Sequence, residues 1–371
     1  MMNGHKIDTF NQFLLDNEFI IVLDNYDCCI LSEYLTYLKK QFDNHIYKKI
    51  EEGGYKEIST PFFLHEDLFC AKRNDKEKYL NLNIPALLYN RGHRLKKGYV
   101  LSPTTDVFTS ILFEHYVHSY RDLPLRVYSR VINFNSAKIS DSFIKTFEYY
   151  ITVFASYVEP DNISKELQAI SNIISQLFCT LKVDVIRKDI NQKVIYSVNI
   201  GDDDIILCDY TLLQSGATHL SKLLYSEKTG SSKHPSYISC RIYDSLFWYF
   251  LCFHFDGFGF RLPTMFLPYE VVIISINNHK NCAYDDYLSQ IEESLNNNKI
   301  RFITDNSTTE TVGEKHYKWE KLGIPLRLEV GYNECLKNNI IVINRYTRER
   351  KVFCSAIEIA NELKNVLNTW S

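Results

Sequence analysis

No two cysteines in this chain stand at C-x-x-C spacing, which removes zinc fingers and thioredoxin-type redox sites from consideration. Of the ten cysteines, Cys28 and Cys29 are adjacent and the rest are scattered, mostly inside apolar runs. Such residues act as small buried hydrophobes in a reducing compartment. A long hydrophobic run is missing too: the most apolar stretch, 246–255 (LFWYFLCFHF), has about half the ~20 residues a spanning helix needs and is read as core. The opening MMNGHKIDTFNQFLLDNEF lacks a basic region followed by an apolar segment and a small-residue cleavage site. No signal peptide is therefore expected, and a soluble cytoplasmic protein with no membrane partner follows. Neither sign of charge dominates: 42 basic against 45 acidic residues give −3. Nucleic acid would have to be held by a local patch, not by a global field. With 13 Gly and 9 Pro in 371 residues, collagen-like and low-complexity chains are excluded. Tryptophan is scarce at three residues, whereas 26 Tyr and 23 Phe supply large apolar areas for more than one core.

Periodicity sets out the organisation. The segment up to about Lys49 shows helical spacing, as in Leu31, Leu35 and Leu38, and ends at Glu51-Glu52-Gly53-Gly54. Tyr99-Val100-Leu101 ends a strand, and Thr104 or Thr105 caps the helix that follows, with Asp106 in its first turn. Leu125–Phe134 reads as a strand, and 161–181 as an amphipathic helix capped by Asp161 or Asn162. Strands follow near 183–187, 194–199 and 205–209, and Asp202-Asp203-Asp204 after Gly201 reads as a solvated turn. Two prolines, Pro263 and Pro268, bracket a connector. Beyond it, strands near 271–276, 300–304, 326–330 and 340–344 alternate with helices near 284–296 and 314–322, and a last helix begins near Ser355. This is the pattern of a compact α/β domain, so the expected domains are 1–262 and 263–371.

Several stretches resemble, in order, the prolyl-tRNA synthetases of class II. Residues 318–331 (KWEKLGIPLRLEVG) look like that family's W-E-x-x-G-x-P-x-R-L-E-x-G segment, and Asn344-Arg345-Tyr346-Thr347-Arg348-Glu349 is similar to its R-R-D-T-G-E. Ser102–Asp106 resembles the R-P-T-S-E amino-acid-binding loop, and Ser119–Leu125 matches S-Y-R-D-L-P-L before the second signature motif. Residues 214–220 are similar to Q-G-G-T-S-H-x-L, and 254–263 resemble H-G-D-x-x-G-L-x-L-P at the end of the third motif. The resemblance implies an α+β fold: a class II synthetase-type antiparallel sheet with flanking helices, then a smaller α/β anticodon-binding-type domain. It also implies ATP and Mg2+ as cofactors if the chain is active, tRNA as partner and a homodimer. The reaction joins two anions, a carboxylate and a triphosphate, so fixed cations are required to hold them in line.

Those cations are where the sequence departs from the family. Counting without gaps places the second motif's Arg-x-Glu at Asn135-Ser136-Ala137, and the third motif's phosphate-binding Arg at Ser245. Where the family has L-R-T-R-E-F and Q-E-G-H, this chain has Ile144-Lys145-Thr146-Phe147-Glu148-Tyr149 and Thr152-Val153-Phe154-Ala155. The expectation is a paralogue whose ATP site no longer works in the ancestral manner, retained for binding tRNA, an amino acid or a protein partner. The rival is an active amino-acid-activating ligase in which Arg241, Lys145 or Arg130 supplies the missing charge; the third reading is a structural accessory subunit. Arg241 would replace the Arg at 245 if one helix carries both, four residues apart. The candidate catalytic residues are thus Arg241 and Lys145, and the candidate amino-acid site is Thr104, Asp106 and His219. Candidate tRNA contacts are Lys318, Trp319, Arg345 and Arg348, cations interleaved with aromatics as unstacked bases require. No metal site and no DNA partner are expected.

Overall fold

The computed structural model describes residues 4–23, 28–61, 63–65, 86–90, 93–101, 106–132, 150–201, 203–213, 222–276, 282–354 and 363–364. They form two units, one drawn from 1–11, 22–30 and 43–250 and the other from 12–21, 31–42 and 251–371. The helical spacing of the opening segment resolves into two helices, α1 (Gly4–Asp16) and α2 (Glu33–Glu52), separated by the paired strands Ile20–Leu23 and Cys28–Leu31. Ser32 explains where the second begins: its Oγ accepts from the Leu35 amide at 3.2 Å, the geometry of an N-cap. The helix stops at the Glu-Glu-Gly-Gly sequence, where Gly54 takes φ +84°.

The first unit is built on a seven-stranded sheet. Its strands are β1 (Lys56–Glu57), β2 (Leu125–Ile132), β3 (Tyr150–Val158), β4 (Ile186–Ile190), β5 (Lys193–Ile200), β6 (Asp203–Leu213) and β7 (Ser236–Tyr243), in the order β1-β2-β3-β7-β6-β5-β4. All pairings are antiparallel except the parallel contact of β1 with β2. Strands β3 and β7 are absent from the expectations above.

Alternation along the strands gives the sheet two distinct faces. One carries Arg126, Tyr128, Phe154 and Cys240, in cross-strand register. Helix α4 (Ile163–Leu181) covers this face. It buries Ile170, Ile173, Ile174, Leu177, Phe178 and Leu181, a three-and-four spacing that makes one apolar stripe. Asn162 stands at the cap position, but its side chain donates to Glu159 instead of capping. Buried Glu166 is held in the same layer by Arg126, whose Nε lies 2.9 Å from Oε1, and by the Tyr55 hydroxyl at 2.9 Å. The second face carries Val153, Ala155, Tyr157, Tyr237, Arg241 and Asp209. Helix α3 (Asp106–Tyr116) packs on its upper part, with the Phe113 and Tyr157 rings 4.9 Å apart.

The second unit follows the expected alternation. Strands β8 (Val271–Ile276), β9 (Phe302–Asp305), β10 (Leu326–Gly331), β11 (Ile340–Asn344) and β12 (Arg350–Phe353) form a sheet in the order β9-β8-β10-β11-β12. β8 is parallel to β9 and β10, and β11 and β12 close the sheet with antiparallel pairings. Successive β8 residues serve opposite faces. Val271 and Ile273 pack with Tyr284, Tyr287, Ile291 and Leu295 of α6 (Cys282–Asn297), whereas Val272 and Ile274 pack with Trp319 of α7 (Val312–Lys321). Thr311 and Glu314 form a reciprocal capping box that starts α7. Between α4 and α6 lies α5 (Ser245–Phe253), and a short helix α8 (Tyr332–Lys337) follows β10. The helix expected from Ser355 lies almost wholly outside the described residues. Among the described residues, no helix is long and apolar enough to cross a membrane.

Candidate functional site

The second face of the seven-stranded sheet is where the resemblance would put the chemistry. Val153 and Ala155, at the positions expected to carry the Glu and His of Q-E-G-H, are 4% and 1% exposed and belong to apolar clusters. Val153 packs with Val131 and Ile151, and Ala155 with Phe113, Tyr157 and Tyr237. Ser245 is fully buried at the first turn of α5, and its hydroxyl donates to the Ile206 carbonyl at 2.7 Å. It thus acts as a structural pin between a helix start and β6.

Arg241 is not on that helix. It lies in β7, four residues before α5 begins, so the condition for replacing the Arg at 245, one helix carrying both, is not met. The strand instead aims it at its cross-strand partner Asp209. Arg241 Nε and Nη2 reach the two carboxylate oxygens at 2.8 and 2.9 Å, a bidentate pair. Lys193 Nζ lies 3.0 Å from the same carboxylate, and the Tyr243 hydroxyl donates to it at 3.1 Å. Asp209 itself has no exposed surface, while the two cations keep about a third of theirs. Lys188, further along this face, pairs with Asp204. Arg130 is on the helix-covered face, 3.2 Å from Asp43, so it and Arg241 point to opposite sides of the sheet. The positions counted for the second motif's Arg-x-Glu, Asn135, Ser136 and Ala137, lie outside the described residues.

Asp106 is the first residue of α3. Lys145, Thr104 and His219 lie outside the described residues, as do Thr105 and Asp202. Among the described residues, no group of three or more His, Cys, Asp or Glu side chains could hold a metal ion.

In the second unit, the candidate tRNA residues separate into buried and surface groups. Trp319 is 6% exposed, and its indole N–H donates to Asp305 at 2.7 Å. Lys315, equally buried, donates to the Asp305 carbonyl at 3.1 Å. Burial pushes the Asp305 carboxyl up, but Trp319, the Ser307 amide, Lys318 and Lys315 together hold it below the ordinary carboxylate range. Arg345 is buried as well: Nε donates to the Glu320 carbonyl at 2.9 Å and Nη1 to Asp256 at 2.8 Å. Burial also raises the Asp256 carboxyl, yet Arg345 and the amides of Phe258 and Gly259 outweigh it and leave it lowered.

These contacts bring together two of the recognisable motifs. The loop 254–261 sits on the turn 320–324, with the Phe260 amide donating to the Lys321 carbonyl at 3.2 Å. A Cβ at Gly259 would stand 2.5 Å from the Glu320 oxygen, and one at Gly323 (φ +77°) 2.3 Å from the Phe260 oxygen. Glycine at both positions is therefore a packing requirement. Asp256 falls within the 254–263 motif and Asp305 within no motif, and nothing local shows that their partners lie 89 and 14 residues away.

The surface group remains. Lys318 pairs with Glu310 at 3.0 Å and keeps 40% of its side chain exposed; Arg348 pairs with Glu320 and keeps 58%. Tyr317 is exposed with Lys321 Nζ 4.3 Å from its ring centroid, and Arg350 and Lys351 are exposed on the edge strand β12. Cations beside a solvent-facing ring are what phosphates and unstacked bases require.

The family model described as "Anticodon binding domain" matches residues 270–366. A proline--tRNA ligase of Saccharolobus islandicus (strain M.14.25 / Kamchatka #1) is 26% identical over 334 residues, covering 85% of this chain and 68% of the relative. One from Clostridium botulinum (strain Loch Maree / Type A3) is 23% identical over the same length and coverage. Among solved structures, Giardia lamblia prolyl-tRNA synthetase in complex with prolyl-adenylate superposes with a TM-score of 0.84 at 19% identity, over 98% of this chain and 79% of that one. Cryptosporidium parvum prolyl-tRNA synthetase complexed with halofuginone and AMPPNP gives 0.84 at 18% identity, over 97% and 77%.

Proposed function

This chain is prolyl-tRNA synthetase-like in sequence and in fold, and from that premise we propose that it is a paralogue whose adenylation site no longer works in the ancestral manner and which is retained to bind tRNA. The observation that carries the proposal is the second face of the large sheet. Where the family has the Glu and His of Q-E-G-H, it has Val153 and Ala155 inside apolar packing, and at the start of α5 the position counted for the third motif's Arg is Ser245, bonded to a backbone carbonyl. Preorganised charge of this kind typically contributes several kcal/mol to the chemical step, so its loss slows reaction by orders of magnitude. The well-packed anticodon-type domain, with Tyr317, Lys318, Lys321, Arg348, Arg350 and Lys351 at its surface, supports retention for tRNA. In the proposal Trp319 and Arg345 serve that domain from within, holding the surface in shape.

ATP–pyrophosphate exchange with magnesium, run over the proteinogenic amino acids and proline analogues, tests the first half. Exchange that depends on one amino acid sinks it and establishes the rival, an activating ligase with ATP and Mg2+ as cofactors. Filter binding of the full chain to total tRNA at low salt tests the second half: absence of binding leaves an amino acid, a second copy or another protein as the partner to be sought.

A further inference from the structure

The Asp209 constellation belongs to none of the motifs on which the resemblance rests. Asp209 is wholly buried in the middle of β6, and its two oxygens face the Arg241 fork at 2.8 and 2.9 Å, Lys193 at 3.0 Å and the Tyr243 hydroxyl at 3.1 Å. Three of these four donors converge on Oδ2, and the Arg241 Nε alone reaches Oδ1. A planar guanidinium fork, an ammonium and a hydroxyl are also the groups that recognise a phosphate, and the two cations remain about one-third exposed.

We infer that Asp209 is an internal counter-anion: it occupies the cation fork of this face and withholds Arg241 and Lys193 from any polyphosphate. The inference rests on the degenerate-site proposal and deepens it, naming the residue that keeps the replacement cations from being recruited. The physical reason is exclusivity. An incoming phosphate that took the Arg241 fork would strip a buried carboxylate of its bidentate partner and stand beside it as a second anion, losing hydrogen bonds and adding repulsion together. Removing the charge of Asp209 while keeping its shape releases both restraints.

The experiment is titration calorimetry of inorganic tripolyphosphate into the full chain, as wild type, as Asp209→Asn and as Asp209→Asn with Arg241→Gln. Asp209→Asn should bind at least about tenfold tighter than wild type, the lower end of what charge-assisted hydrogen bonds contribute. The second substitution should abolish the gain. Equal affinity in wild type and Asp209→Asn, or a gain that survives Arg241→Gln, overturns the inference. Should the variants fail to fold, the wild type decides alone. Phenylglyoxal modification of Arg241, mapped by mass spectrometry, should proceed at the same rate with and without tripolyphosphate. Protection of Arg241 by the ligand overturns the inference. Pyrophosphate exchange by a wild type whose Arg241 is unprotected would sink the degenerate-site proposal and leave this one standing.

Discussion

Arg345 and Arg348 stand three residues apart in Asn344–Glu349, and both invite the same reading as tRNA contacts, yet the structure makes them opposites. Arg345 has 5% of its side chain exposed and bridges Asp256 and the Glu320 carbonyl; Arg348 has 58% exposed and pairs with the Glu320 carboxylate. Replacing each with Met keeps the aliphatic stem and deletes the charge. For a fully buried pair, removal of one partner costs about 3–5 kcal/mol. Asp256 retains 29% exposure and still accepts from the Phe258 and Gly259 amides, so part of its stabilisation survives. Arg345→Met should therefore cost about 2–3 kcal/mol, and Arg348→Met no more than about 1 kcal/mol, as for exposed pairs. Urea unfolding followed by tryptophan fluorescence measures the difference, and hydrogen exchange at the Leu322 and Gly323 amides localises it. Combined with Asp256→Asn, Arg345→Met should show a coupling energy of at least about 1 kcal/mol. Equal costs for the two arginines, or no coupling to Asp256, would refute the assignment of Arg345 to the interior.

Three further outcomes follow from the same geometry. Gly323→Ala places a Cβ 2.3 Å from a backbone oxygen at a positive φ; it should destabilise by about 2–4 kcal/mol, clash and left-handed strain combined, read as a lowered urea midpoint. Charge reversal of Arg350 and Lys351 together should weaken tRNA binding and flatten its log–log salt dependence by about one unit for each phosphate no longer neutralised; an unchanged slope removes them from the interface. Asp256 and Asp305 have folded-state pKa values below their unfolded ones. Their contribution is therefore fully present above the ordinary Asp value of about 4 and is lost as pH falls through the folded values. Unfolding free energy measured down through that window should decline, and Asp256→Asn with Asp305→Asn should flatten the decline.

Much of this is legible in the sequence for identifiable reasons. The alternation after Pro268 marks an α/β domain because strand and helix periods differ, and β8, β9, β10 and β11 fall close to where that alternation sets them. The apolar stripe of α4 is equally plain, since its buried positions recur at three-and-four spacing. What stays hidden is the pairing of charge across distance. Trp319, Lys315 and Arg345 look like a basic, aromatic surface until Asp305 and Asp256 are brought beside them by the fold. The strand that carries Arg241, Ser236–Tyr243, leaves little pattern in the sequence, because it alternates only weakly between buried and half-buried residues. Asp209 carries no local signal at all, since an acid flanked by apolar strand residues declares itself only when its partner strand is known.

The second unit is discontinuous along the chain, and this bears on how the protein is made. It takes in 12–21 and 31–42 with 251–371, and the Tyr34 hydroxyl donates to the Leu322 carbonyl across 288 residues. Phe13 and Phe19 meet Phe260 in the same way, with ring centroids 5.5 and 5.2 Å apart. During synthesis these early aromatics leave the ribosome long before their partners exist. At roughly 5–20 residues per second, the wait lasts on the order of ten seconds to a minute. Over that interval an apolar edge must be left uncovered or guarded by a chaperone, and closure of the unit depends on the last third of the chain being finished.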